Sequence, residues 1–280
     1  METTNIIAPI TFIQAPVQNT NYEILHLDNI NSKREKYTKY NNGNLPVPRV
    51  SEILKDTIGK DFLLQWALRL GLEAYNKESA YTLYTGTIVH EMIERFLLKG
   101  IMYPDDINYR NYTIKKKSIT AFDNFLNWYK NMINKGYQLI ILAIEREITT
   151  PWYGGTIDCI MRVIHKEYNI DTVYIVDFKT SKRISVEYLL QTYSYLWAIN
   201  YNRSINPNFD IPEARGVGII RVDKEYPKYE DIFLSYDNPE QAIILEQLKY
   251  SFSSMINWYY NLFNMRENLK ISKQYNFSKR

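Results

Sequence analysis

The sequence predicts an α/β protein in which a small mixed sheet is flanked by helices. Apolar residues follow helical spacing up to about residue 135 and then change to strand-like alternation and short apolar runs. The predicted order is helices, strand hairpin, strand, helix, strand and helices, which is typical of a mixed α/β domain. The length of 280 residues fits one large domain or two small ones. We expect an irregular N-terminal arm over residues 1–44 and a single domain over residues 45–280.

The composition excludes several classes of protein. Hydrophobic residues make up 45% and charged residues 23%, as in ordinary soluble proteins, which excludes a chain that is disordered throughout. The single cysteine, Cys159, excludes a disulfide scaffold, cysteine-ligated zinc and an iron–sulfur cluster. The longest apolar runs, such as 139–144, are too short for a membrane span, and residues 1–5 do not begin a signal peptide. We expect a soluble, cytoplasmic protein with no membrane partner.

Three helices are predicted before the sheet. The first starts with Ser51 as its N-cap and extends to about residue 70. The second covers about 87–99, and the third covers about 114–135 and ends at Gly136. The second helix has the clearest apolar stripe, because its apolar residues follow the spacing i, i+3, i+4, i+7, i+8. These residues are Val89, Met92, Ile93, Phe96 and Leu97.

The sheet is predicted from five segments, the first two of which form a hairpin around a glycine turn at 151–155. The five strands are expected at 138–149, 156–164, 173–179, 216–222 and 231–235. A helix over about 186–201, capped by Ser185, separates the third strand from the fourth. The sequence Asn238-Pro239-Glu240 marks the start of a long C-terminal helix, because it supplies a cap, a proline and an acid in that order.

Two acids and a lysine on the predicted sheet are the first candidates for chemistry. Asp177 and Lys179 alternate on a strand and so share a face, although in isolation a structural salt bridge is the commoner explanation of such a pair. A D-x-K triplet is expected by chance roughly once in such a chain. Asp158 lies beside apolar residues just after the glycine turn, and a buried carboxylate is costly unless it is paired or bound to metal.

Further side chains can reach the same edge of the sheet. Glu145 and Glu147 share one face of the first long strand, where either a solvated surface or a metal site accounts for them. Clustered carboxylates suit Mg²⁺ or Mn²⁺. His90 lies at the border of the apolar stripe with Glu94 one turn further, and it is either a packing residue or a neutral ligand.

The order of these residues resembles a known family more strongly than any one of them does. Gly86-Thr87-x-x-His90-x-x-x-Glu94, Gly155-x-x-Asp158, Asp177-x-Lys179-Thr180 and Gln191-x-x-x-Tyr195 follow one another along the chain. This pattern resembles the PD-(D/E)XK nuclease superfamily and, within it, the RecB-type branch. The segment 45–51 and the tryptophan that follows it are similar to the group of mitochondrial genome maintenance exonuclease and its phage relatives. The resemblance covers about residues 45–200.

The resemblance implies a fold, a metal site and a reaction. The fold would be a PD-(D/E)XK core of the restriction-endonuclease type. The metal ligands would be His90, Asp158, Asp177, the backbone carbonyl of Phe178 and either Glu145 or Glu147. Lys179 would be the catalytic lysine, which either orients the attacking water or acts as a base with a depressed pKa. Gln191 and Tyr195 would shape the site.

The expected function is therefore Mg²⁺- or Mn²⁺-dependent hydrolysis of DNA, as an exonuclease on single strands or DNA ends. No iron–sulfur cluster is expected, and replication or recombination proteins are candidate partners. The alternative is a non-catalytic DNA-binding or assembly subunit on a nuclease-like fold. The chain favours Asn, Ile, Lys and Tyr, which is typical of low-GC coding, and together with the phage-like resemblance this indicates a viral source. A viral protein of this kind would act in the host cytoplasm. Weaker candidates for DNA contact are Glu94, Thr180, Lys115, Lys116, Lys117 and Arg69.

Overall fold

The computed structural model describes residues 38–39, 46–58 and 72–276. Arg69 and most of the predicted arm over residues 1–44 lie outside this part of the chain. The described helices are α1 (Val50–Ile58), α2 (Leu72–Lys99), α3 (Tyr112–Asn134), α4 (Val186–Ile205) and α5 (Pro239–Asn276). The described strands are β1 (Thr38–Lys39), β2 (Pro46–Val47), β3 (Gln138–Thr149), β4 (Gly154–His165), β5 (Ile170–Lys179), β6 (Gly216–Val222) and β7 (Tyr229–Ser235).

The main sheet is mixed and open, with the strand order β3-β4-β5-β6-β7. Every neighbouring pair is antiparallel except β5 and β6, which run parallel and are connected through α4. Because β5 and β6 are parallel, their C-terminal residues Lys179 and Arg221 lie side by side at one edge of the sheet. The residues that follow these two strands therefore meet at that edge, which is a common place for sites in α/β proteins.

Helices cover both faces of this sheet. Alternate residues of a strand face opposite sides, so Tyr174, Val176 and Phe178 of β5 pack against α2 and α3. Val173 and Ile175 pack on the other side against α1, α4 and α5. The two apolar layers account for the predicted class, a mixed sheet flanked by helices, and the structure confirms it at this level.

The helices begin and end for local reasons, one of which the sequence prediction missed. The first helix begins at Val50, so the prediction of Ser51 as its N-cap is wrong. The Arg49 carbonyl accepts the first helical hydrogen bonds, and the Glu52 carboxylate accepts the Arg49 N–H. Glu52 thus supplies the glutamate half of a capping box and stabilises the helix start, a contribution that the prediction overlooked.

The apolar stripe predicted for 87–99 is confirmed, but the helix that carries it is much longer. All five stripe residues are buried in the layer between α2, α3 and the sheet. The helix α2 has 28 residues, which corresponds to about 42 Å. In its N-terminal half the polar run Asn76-Lys77-Glu78-Ser79 interrupts the apolar residues, so periodicity gave no signal there. Among the helices in the described part of the chain, none combines the length and apolarity needed to cross a bilayer.

Candidate metal centre

Three side chains from three different elements converge at the edge of the sheet. His90 projects from α2, Glu145 from β3 and Asp158 from β4, and one potential ligand atom of each lies within 4.8 Å of the other two. Glu145 is exposed, whereas His90 and Asp158 are half-buried. One imidazole nitrogen and two carboxylate oxygens are donors that suit Mn²⁺ or Mg²⁺, so the chemistry of this group fits such a cation.

The strand pairing explains how the two acids meet. Ile144 and Arg146 of β3 pair with Cys159 and Ile157 of β4, which places Glu145 across from Asp158. The register of this pair shifts a few residues earlier, between 141 and 143. Glu145 itself has φ +47°, a left-handed conformation that is rare for a residue other than glycine. Strained residues of this kind cluster at functional sites, and this one carries a member of the group.

Asp158 links the hairpin to the central strand. The last pair between β4 and β5 is Cys159 with Val176, so the ladder stops just before Phe178. The Phe178 N–H donates to Asp158 Oδ2 at 2.8 Å instead of to a strand carbonyl. The same oxygen lies 3.4 Å from His90 Nδ1. Asp158 therefore has a structural partner as well as a place among the potential ligands.

Asp177 and Lys179 form an ion pair beside this group. Lys179 Nζ lies 2.6 Å from Asp177 Oδ2, which confirms that the two side chains share a face. Asp177 is only 3% exposed. Burial raises the pKa of Asp177 to about 6, although Lys179 opposes the shift, and Asp158 adds to it through repulsion. Burial alone would lower the pKa of Lys179, but the two carboxylates outweigh it, so that pKa is raised.

Lys179 begins a short series of polar contacts that reaches α4. Its Nζ donates to Gln191 Oε1 at 3.3 Å, and Gln191 Nε2 lies 3.5 Å from the hydroxyl oxygen of Tyr195. The ammonium also lies 4.8 Å from the centre of the Tyr188 ring, within range of a cation–π contact. Burial raises the pKa of Tyr195, so its hydroxyl stays protonated at neutral pH. Lys179 is thus a fixed cation held by three neighbours.

Two glycines lie where other elements approach these residues. A Cβ on Gly155 would lie 2.6 Å from the hydroxyl oxygen of Tyr195, so only glycine fits there without movement. Gly86 of α2 lies against Thr180, whose Oγ1 would be 3.4 Å from an added Cβ. Gly155 of β4 is therefore required by the close approach of Tyr195, whereas Gly86 leaves room for a Cβ, and Thr180 marks where α2 meets the end of β5.

The structure brings together most of the residues that the sequence singled out. His90, Asp158 and Glu145 form the group described above, and Asp177, Lys179, Gln191 and Tyr195 lie next to it. Phe178 contacts the site through its N–H, and the ligand role of its carbonyl stays a prediction.

Other predicted residues lie apart from the three-ligand group. Glu147 pairs with Thr156, two residues further along β3 than Glu145, and Glu94 is half-buried one turn beyond His90. In the basic run of α3, Lys115 lies 5.5 Å from the Tyr109 ring centre, and Lys116 is exposed. Lys117 instead pairs with Glu225 at 3.1 Å.

Arg221 is a residue of this edge that the sequence reasoning missed. It is 1% exposed and donates to the Ser181 carbonyl at 3.1 Å, which holds the segment just after Lys179. Its charge is balanced by Glu230 and Asp223 at 2.8 and 3.2 Å. The available signal was an arginine inside the otherwise buried, apolar strand β6, where an unpaired charge would be costly.

Comparison with known proteins does not assign the chain to a family. No protein-family model matches the chain, and no curated protein matches it.

Proposed function

We propose that this protein is a Mg²⁺- or Mn²⁺-dependent DNA nuclease built on a PD-(D/E)XK core. The observation that carries the proposal is the convergence of His90, Glu145 and Asp158 beside the buried pair of Asp177 and Lys179. A hard cation and a lysine at one sheet edge suit attack on an anionic phosphodiester. The mixed sheet with helices on both faces is compatible with this core, which also fits the order of the motifs along the chain.

The residues divide into metal ligands and a positioning cation. His90, Glu145 and Asp158 would hold the cation, and Asp177 lies close enough for its charge to affect the same group. When bound, a divalent cation supplies Lewis acidity that makes water a better nucleophile and offsets the phosphate charge. Water attack at phosphorus would break one P–O bond and leave a hydroxyl on one product and a phosphate on the other.

Lys179 contributes a positive charge rather than a base in this arrangement. Its ammonium donates to Asp177 and Gln191, which leaves one of its three N–H groups for an oxygen around the phosphorus. A fixed donor aimed where negative charge develops lowers the barrier without reorganising during the reaction. Of the two roles that the resemblance left open, the geometry therefore favours orientation of water and stabilisation of charge.

DNA is the substrate that we propose, as single strands or ends, with exonucleolytic cleavage. This choice follows the resemblance of the motifs, and replication or recombination proteins in the cytoplasm are the partners that it implies. The alternative, a DNA-binding or assembly subunit without activity, would keep the fold but have no use for a lysine fixed beside three potential ligands.

Cleavage of labelled DNA by the purified full chain tests the proposal. Single-stranded and double-stranded oligonucleotides are incubated with Mn²⁺, with Mg²⁺ and with EDTA, beside the Lys179→Ala variant. We expect cleavage that needs the cation and that falls by at least about 100-fold in Lys179→Ala. If wild type leaves both substrates intact in Mn²⁺ and matches the variant, the nuclease proposal is wrong. Binding of DNA without cleavage would then support the alternative.

A further inference from the structure

A cleft of about 480 Å³, lined mainly by residues with polar side-chain groups, lies between α2, α3 and the turn after β6. Two lysines from different elements line it, Lys117 from α3 and Lys224 from the turn. Hydroxyl groups from both helices also line it, and the acid Glu78 lies on the α2 side. The side chains that matter for the argument are Tyr81, Thr82, Thr113, Lys117, Lys224 and Glu78.

The cleft adjoins the candidate metal centre through a continuous run of residues. Thr85 of α2 lines the cleft, and its neighbour Gly86 lies against Thr180, the residue after Lys179. On the other side, Arg221 donates to the Ser181 carbonyl, and Lys224 follows Arg221 by three residues. The cleft and the metal centre therefore open at the same edge of the sheet, where β5 and β6 end.

The two lysines lie close enough to repel one another in the cleft. Burial lowers the pKa of Lys224, and repulsion from Lys117 lowers it further, against smaller opposing effects of Glu225, Glu78 and Asp223. The Lys117 partner, Glu225, is 54% exposed, and a surface ion pair of this kind contributes little to stability. An anion in the cleft would relieve the repulsion between the ammonium groups and could displace Glu225.

From these observations we infer that the cleft binds a backbone phosphate of a nucleic acid strand whose reacting phosphate lies at the metal centre. The inference rests on the proposed nuclease function and adds a subsite to it. From Thr82 to His90 the helix rises about 12 Å, which a stacked strand covers in three to four nucleotides at roughly 3.4 Å each. The cleft thus contacts a longer strand and leaves a dinucleotide untouched. Hydroxyl groups and ammonium groups hold phosphate without reading the base.

Strand binding by charge-matched variants of the full chain tests the inference. The cleft variant is K117Q/K224Q, and the control is K130Q/K135Q, which removes two exposed lysines from the far end of α3. A labelled single-stranded 16-mer is titrated in Ca²⁺ at several salt concentrations, and cleavage in Mn²⁺ is measured separately. For the cleft variant we expect about tenfold weaker binding. The slope of log K against log salt concentration should also be smaller in magnitude by about one to two. The affinity of the control variant for the strand should change by less than twofold, and K117R/K224R should bind like wild type.

The outcomes separate this inference from the proposed function. If wild type cleaves DNA but the cleft and control variants bind the strand alike, the cleft assignment is wrong and the nuclease proposal stands. If wild type neither binds nor cleaves the strand, both are wrong. Thermal melting shows whether the double variant folds. The single variant K117Q removes a side chain that is 33% exposed, so it retains the fold and should weaken binding by about threefold.

Discussion

Asp158 takes the place of a strand carbonyl for the backbone N–H of Phe178. The β4–β5 ladder ends at Cys159 and Val176, and beyond it the side chain of Asp158 accepts the next N–H at 2.8 Å. The same oxygen faces His90 Nδ1 at 3.4 Å. One carboxylate therefore fixes the end of β5, which carries Asp177 and Lys179, and also supplies a potential ligand atom to the group with His90 and Glu145.

Two substitutions of Asp158 should separate these roles. Asp158→Ala removes both the acceptor and the charge, so we expect a loss of about 1–3 kcal/mol in the free energy of unfolding together with loss of activity. Asp158→Asn keeps an acceptor oxygen for the Phe178 N–H, and it should lose activity but little stability. Urea unfolding of both variants without metal measures the difference. Equal stability of the two variants would show that the hydrogen bond contributes little.

Gly155→Ala should destabilise the protein through Tyr195. The added Cβ would lie 2.6 Å from the Tyr195 hydroxyl oxygen and 2.7 Å from the ring, and this overpacking costs about 1–3 kcal/mol. In a Tyr195→Leu background the same substitution should cost at least about 1 kcal/mol less, because the ring is gone. A double-mutant cycle from urea unfolding measures this coupling. A cost that is the same in both backgrounds would contradict the contact.

Gly86→Ala should stabilise the protein by about 0.5–1 kcal/mol, because alanine is favoured over glycine inside a helix. The new Cβ would meet Thr180 Oγ1 at 3.4 Å, an ordinary contact. Gly100 at the end of the same helix is the matched control, because its φ of +68° strains any residue with a side chain. The melting temperature should therefore rise for Gly86→Ala and fall for Gly100→Ala. A fall for both would indicate that α2 packs more tightly on Thr180 than the geometry shows.

The pH dependence of stability should report the burial of Asp177. Its pKa of about 6 lies above its ordinary value of 3.8, so the folded protein holds this proton more tightly than the unfolded chain does. The resulting stabilisation is complete below about pH 4 and is lost as pH rises through about 6. The expected loss in the free energy of unfolding is on the order of 1–3 kcal/mol. Urea unfolding in EDTA between pH 4 and 7.5 should show this loss in wild type but not in Asp177→Asn. Parallel curves for the two proteins would contradict the shift.

Short-range patterns predicted much of the fold. Alternation located β3, which the structure places over Gln138–Thr149 as expected, and the apolar run located β6 over Gly216–Val222. The N-terminal half of α2 was missed because a polar run over residues 76–79 interrupts its apolar residues, and periodicity detects a helix only where one face is continuously apolar. The capping by Glu52 was missed because the cap uses backbone groups of Arg49, which any residue supplies.

The sequence predicted most residues of the candidate site but not how they are arranged. The spacing of Asp177 and Lys179 on one strand predicted their contact. The choice between Glu145 and Glu147 depended on the pairing register of β3 with β4 and on the left-handed backbone of Glu145, and neither can be read from residue types. Arg221 and Lys224 reach this edge only because β6 pairs in parallel with β5, a long-range contact without a local signal.

Binding of Mn²⁺ tests the metal centre most directly. Electron paramagnetic resonance detects free Mn²⁺ during titration of wild type, Glu145→Gln and Glu147→Gln. We expect wild type to bind the ion, Glu145→Gln to bind it at least about tenfold more weakly, and Glu147→Gln to match wild type, because only Glu145 belongs to the group with His90 and Asp158. No binding by wild type, or an equal loss in the two variants, would contradict the metal centre described here.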